Sequence, residues 1–141
     1  EAAEPEDPRF IPAEKAMAEG DYAAAISVYE GILAQDPKNA AARAARDNAR
    51  LLGRLTDAGD TDPIAEANAY PTDVAAGFAA ADAEAAAGDA ESAFDRLLAL
   101  MAAAPDRKPE IRDRLLELFA LFDPTDLRVL AARGKLASAL F

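Results

Sequence analysis

The side chains with most to offer chemistry in this 141-residue chain are carboxylates and guanidiniums. Ten acids run from Asp57 to Asp95, and the first base after them is Arg96. Within that stretch Asp57, Asp60, Asp62 and Glu66 invite a calcium reading. A calcium-binding loop of the EF-hand kind needs alternating oxygen ligands, a glycine at the sharp turn and a late bidentate carboxylate, and no register here supplies them. Asp82 or Glu84 would act as a general base only beside a nucleophile, a metal set or a phosphate loop, and none accompanies them. The chain has no Cys, His or Trp, which removes zinc sites, thiol nucleophiles and imidazole bases from this segment. No catalytic, metal or cofactor-binding residue is therefore assigned. Arg43, Arg46, Arg50 and Arg54 form a basic stripe at helical spacing, read as a solvated helix face.

Such carboxylates and cations must be carried by helices. More than a quarter of the residues are alanine, and the β-branched and aromatic runs of a sheet are missing. The net charge of −11 repels nucleic acid and anionic membranes. No apolar run approaches the roughly 20 residues that span a bilayer. Two stretches share one grammar: GDYAAAISVYEGILAQDP from Gly20 and GDAESAFDRLLALMAAAP from Gly88. Each opens on Gly-Asp, runs along one apolar face (Ala25, Ile26, Tyr29, Ile32 and Leu33; Ala93, Phe94, Leu97, Leu100 and Met101), and stops at a proline. Gly20 and Gly88 lie 68 residues apart, two periods of about 34. Pro37, Pro71 and Pro105 keep the same spacing. A helix–turn–helix unit at this period resembles the tetratricopeptide repeat (TPR), and the expected fold is an all-α, TPR-like solenoid of antiparallel helix pairs, seven or eight helices in all.

The expected helices lie near 8–19, 22–35, 39–55, 73–87, 90–103, 109–122 and 124–141. The third carries Ala42, Ala45, Ala49 and Leu52 inward. The middle repeat is degenerate, since TDAGDTDPIAEANAY contains two breakers and predicts one short helix starting at Asp62-Pro63. In the helix near 109–122, Ile111, Leu115, Leu118, Phe119 and Phe122 form one stripe. Asp123-Pro124 is the expected N-cap and first residue of the last helix. That helix is apolar on two sides, with Leu127, Leu130, Ala131, Gly134 and Phe141 on one and Val129, Leu136 and Leu140 nearly opposite. A terminal helix of a solenoid has a polar outer face, so Leu127, Val129, Leu130, Leu136, Leu140 and Phe141 are candidates for docking a protein partner or a second copy as a homodimer. In the TPR register, Phe10, Glu14 and Met17 with Phe78, Asp82 and Ala85 line the groove. Phe10, Met17 and Phe78 are the client-contact candidates there, in an acidic setting that suits apolar or basic segments and lacks a carboxylate clamp. Residues 1–8 read as the end of an acidic linker and 9–141 as the helical domain. A start without Met predicts a fragment of a longer protein.

From Gly88 onward the order Ala93-Phe94, Leu97-Leu98, Asp106-Arg107, Arg114-Leu115-Leu116, Leu118-Phe119, Pro124-Thr125-Asp126 and Arg133 to the closing LASALF is similar to the C-terminal TPR region of bacterial thioredoxin-like co-chaperones called YbbN or CnoX. The chain departs from that family at Asp123 and Leu127, where the family usually has Gly and Pro. The resemblance implies an N-terminal thioredoxin-like domain holding any redox cysteines, a cytoplasmic location, and holdase action on unfolding clients. It implies chaperonin and Hsp70-system partners, with the last helix contacting the chaperonin. The alternatives are a structural oligomerisation or scaffold module, and a substrate-positioning domain of a thioredoxin-type oxidoreductase.

Overall fold

The computed structural model describes residues 7–141, and these form helices and turns with no strand among them. Most of the expected acidic linker, residues 1–6, lies outside the described residues. Asp7 and Pro8 lie within the described residues. The Asp7 carboxylate accepts from the Arg9 backbone N–H and caps a 3-10 turn over Pro8–Phe10. The helices are α1 (Ile11–Ala18), α2 (Tyr22–Gln35), α3 (Ala40–Ala58), α4 (Pro63–Ala69), α5 (Val74–Ala86), α6 (Ala90–Ala103), α7 (Lys108–Phe119) and α8 (Leu127–Leu140). They form two compact units divided between Gly53 and Arg54, inside α3.

The two Gly-Asp turns are built alike, for one reason. Each glycine ends its helix in the left-handed region, φ 74° at Gly20 and 84° at Gly88, where a side chain is disfavoured. Gly20 N–H donates to Met17 O and Asp21 N–H to Ala16 O; Gly88 N–H donates to Ala85 O and Asp89 N–H to Glu84 O. That pair of bonds is the Schellman motif, which satisfies carbonyls the helix leaves open. The next residue then opens the following helix, with Asp21 accepting from Ala24 N–H at 3.1 Å and Asp89 from Ser92 N–H at 3.2 Å. One dipeptide both stops a helix and starts its antiparallel partner.

In the first unit Ala13, Ala16, Ala25, Tyr29, Ile32, Ala42 and Ala49 form a small core, with Phe10 edge-on to Tyr29 at 5.7 Å. Leu51 is buried on α3 where Leu52 was expected, and Leu52 is half-buried. In the second unit Ala93, Phe94, Leu97, Leu100 and Met101 of α6 meet Ile111, Leu115, Leu118 and Phe119 of α7, all buried. Phe94 stands edge-on to Phe119 at 4.8 Å and to Phe122 at 5.7 Å. A Cβ on Gly77 of α5 would lie 2.8 Å from Leu100 Cδ2, so the bare glycine lets α5 close onto α6. The middle repeat is the expected short helix, α4, capped by Asp62 through Ala65 N–H.

The start of α8 differs from the sequence reading. Asp123 accepts from Thr125 N–H and Oγ1 and closes a turn, while Asp126 is the N-cap, accepting from Arg128 N–H at 2.9 Å. Two Asp residues three apart compete as caps, and the Thr between them lets Asp123 fold a local turn instead.

Candidate protein-binding surface

Three apolar residues on α8, Val129, Ala132 and Leu136, recur at i, i+3 and i+7 and are buried, and α8 packs on α6 and α7. At its far end Lys108 Nζ donates to Ala139 O at 3.0 Å, a cation at the helix C-terminus where the open carbonyls favour it. This fixes which side faces out. Leu127 is 80% exposed, Leu130 50% and Phe141 fully so, with Ala131 and Gly134 exposed beside them. Of the six docking candidates on α8 and its C-cap Phe141, then, Leu127, Leu130 and Phe141 share one open face. Val129 and Leu136 are part of the core, and Leu140 is half-buried on their side. A cleft of about 230 Å³ adjoins the near end of that face, between Leu127, Arg128, Ala131 and Lys135 of α8 and Glu91 and Asp95 of α6.

The groove candidates are placed differently. Phe10 and Met17 are half-buried against the core of the first unit. Phe78 is half-buried, with the Arg114 guanidinium 4.4 Å from its ring centre. The expected acidic wall beside it does not exist as such. Asp82 is 2% exposed and accepts from Arg54 Nε at 2.8 Å, Arg54 Nη2 at 3.0 Å and Arg114 Nη1 at 3.0 Å. Glu117 pairs with Arg54 at 2.7 Å. Burial pulls the Arg54 guanidinium down, but its paired bonds to Asp82 and the nearby Glu117 outweigh that and leave it above its ordinary value. Arg114 goes the other way, because burial dominates, Asp82 gives it a single bond, and Arg54 repels it. Both stay cationic. Ala85 is buried too.

Nor is Glu84 a solvated base. It is 7% exposed and held by Arg96 at 2.6 and 3.3 Å, while Arg96 also donates to Asn68 Oδ1 at 3.2 Å. The arginine stripe of α3 is correspondingly engaged: Arg43 with Pro37 O, Arg46 with Asp47, Arg50 with Glu30 and Arg54 with Asp82. Sequence reasoning placed these arginines on a solvated face, because partners up to 28 residues away leave no mark in local spacing. The one available signal was that Asp82 falls in an alanine-rich run, residues 79–87. Among the described residues no three carboxylates gather as a metal site, and no helix is long and apolar enough to cross a membrane.

Comparison with known proteins agrees with this geometry. Residues 64–141 match a family model described as "Tetratricopeptide repeat", and 16–61 match a second with the same description. The chain is 38% identical over 136 residues to uncharacterized proteins Mb1359 of Mycobacterium bovis and Rv1324 of Mycobacterium tuberculosis, an alignment covering 96% of this chain. It spans 44% of the length of those relatives. No solved structure matches. With its repeated Gly-Asp hairpins and matching family models, the chain belongs to the tetratricopeptide repeat family, a family of protein–protein interaction modules.

Proposed function

We propose that this chain is the partner-binding domain of a thioredoxin-like co-chaperone, which docks on a chaperonin through the outer face of α8. The observation that carries the reading is the open apolar face formed by Leu127, Leu130 and Phe141. The relatives' greater length leaves room for a further domain of the expected thioredoxin-like kind. Unfolding clients would meet the edges of Phe10 and Met17 that remain accessible, and the Hsp70 system would receive clients from the same protein.

Deleting α8 is a poor test, since it would also remove Val129 and Leu136 from the core. Leu127→Glu with Leu130→Glu leaves the buried side untouched. Binding of chain 1–141 to purified chaperonin, followed by light scattering or surface plasmon resonance, should be lost in that double variant and persist in moderate salt for the parent. Equal binding by parent and variant, with unchanged helical circular dichroism, would overturn the docking role of α8.

A further inference from the structure

We infer that the outer face of α8 receives an amphipathic helix whose apolar stripe is edged by acidic residues. This rests on the docking reading and adds the chemistry of the partner. At about 100° per residue, the exposed Leu127, Leu130, Gly134 and Phe141 lie opposite the buried Val129 and Leu136. Arg128 and Lys135 fall along one border of that stripe and Arg133 along the other. Residues 127–141 hold three cations and no acid, while the remaining 126 residues carry a net charge of −14 against −11 for the whole. α8 is a cationic island on a strongly acidic chain.

The borders are not fully used internally. Lys135 reaches Asp95 only at 3.5 Å with both side chains more than half exposed. Arg133 lies over the Phe119 ring at 5.1 Å, and no carboxylate is paired with it among the described residues. Arg128 is the most engaged, with Asp126 and Gly88 O. A second copy fits badly, since two α8 faces would bring three cations against three. An anionic bilayer fits badly too, since a broad anionic surface meets the repulsion of the other 126 residues. A narrow acidic helix meets the cations of α8 and, at the cleft, Glu91 and Asp95 of α6, far less of the acidic body than a bilayer would meet. The centre of the stripe, Ala131, Gly134 and Ala137, is low between Leu127 and Leu130 at one end and Phe141 at the other, which suits one large apolar side chain of a partner helix.

The test uses chain 1–141 and three probes: a labelled synthetic helix with a leucine stripe edged by glutamates, the same peptide edged by lysines, and vesicles containing phosphatidylserine. Fluorescence anisotropy should show the glutamate peptide bound about tenfold more tightly than the lysine peptide. The preference should shrink as salt rises. Lys135→Glu should narrow it, Arg133→Glu with Lys135→Glu should reverse it, and Leu127→Glu with Leu130→Glu should abolish binding of both peptides. Equal binding of the two peptides would overturn the proposal, as would vesicle binding without peptide discrimination, or a dimer by sedimentation that Leu130→Glu dissolves. The two readings fail separately. Chaperonin binding that needs Leu127 and Leu130 but ignores the charge reversal removes the acidic partner and keeps the docking face. Chaperonin binding that ignores Leu127 and Leu130 removes the docking reading itself.

Discussion

The two Gly-Asp hairpins, α1–α2 and α5–α6, share a turn down to its hydrogen bonds and differ in nearly everything that the turn holds. Position for position, Phe78 stands where Phe10 does, Leu97 where Tyr29 does, Phe94 where Ile26 does, and Asp82 where Glu14 does. Yet Phe94 is 1% exposed while Ile26 is half-buried, and Asp82 is buried between two arginines while Glu14 is exposed. The second hairpin is covered within its own unit by α7 and α8, so its outer positions have become core. A repeat thus fixes the backbone path, and the neighbours of each copy decide which of its side chains bear load.

The largest effect expected from that difference is at the Phe94 and Ile26 pair. Phe94→Ala should cost about 3–5 kcal/mol through a cavity between Phe119 and Phe122, and Ile26→Ala about 2 kcal/mol or less at a half-open site. Native-state hydrogen exchange reads the stability of each unit through its own amides. Equal losses in the two units would mean that cover by α7 and α8 adds nothing.

Next comes the Asp82 and Glu14 pair. Asp82→Ala removes three guanidinium bonds and leaves Arg54 and Arg114 close together with only Glu117 to balance them, a cost of about 3 kcal/mol. Glu14→Ala should stay within about 0.5 kcal/mol, as exposed substitutions usually do. Urea unfolding of Asp82→Ala that matches the parent would show that the buried cluster contributes no stability.

Both pairs also mark where sequence reasoning succeeds and where it stops. Helices 22–35 and 90–103 were legible to the residue, since Gly-Asp and Pro punctuate them with conformational and capping preferences carried by single residues. The short α4 was legible from Asp62-Pro63 for the same reason. The stripe Ile111, Leu115, Leu118 and Phe119 was legible because burial on one helix face imposes its own period. What escaped was set by distant partners. Nothing beside Asp82 in the chain announces Arg54 and Arg114, and nothing within α8 says which of two apolar sides its neighbours will take. The docking candidates were therefore half core and half surface.

Where the hairpins are alike, they should fail alike. Gly20→Ala and Gly88→Ala each force a side chain into the left-handed region at a cost of about 1 kcal/mol. Neither Cβ would meet an atom within 4 Å, so no clash adds to either. Hydrogen exchange in the two units should therefore show similar losses. A loss at Gly88 several times that at Gly20 would place extra strain in the second turn and break the equivalence drawn from the shared Schellman bonds.

The smallest effect lies one residue on, in the cap. The side-chain and backbone hydrogen bonds from Ser92 hold the Asp89 carboxyl below its ordinary value; burial opposes them, and the Arg128 charge adds a lesser lowering. A carboxyl with a depressed folded pKa stabilises the fold above its unfolded pKa, and that contribution disappears as pH falls through the folded value. Asp89 thus favours α6 at neutral pH and stops doing so in acid, below about pH 4. Asn caps a helix nearly as well as Asp but does not titrate. Asp89→Asn should leave helix content at pH 7 close to that of the parent and weaken the acid dependence of amide exchange in the second unit between pH 5 and pH 2, after correction for intrinsic exchange. An unchanged acid dependence would mean that the cap acts through its geometry alone. In that case the charge of Arg128, which also donates to Gly88 O at 3.1 Å, would serve to fasten the turn to α8 and not to tune the carboxyl beside it.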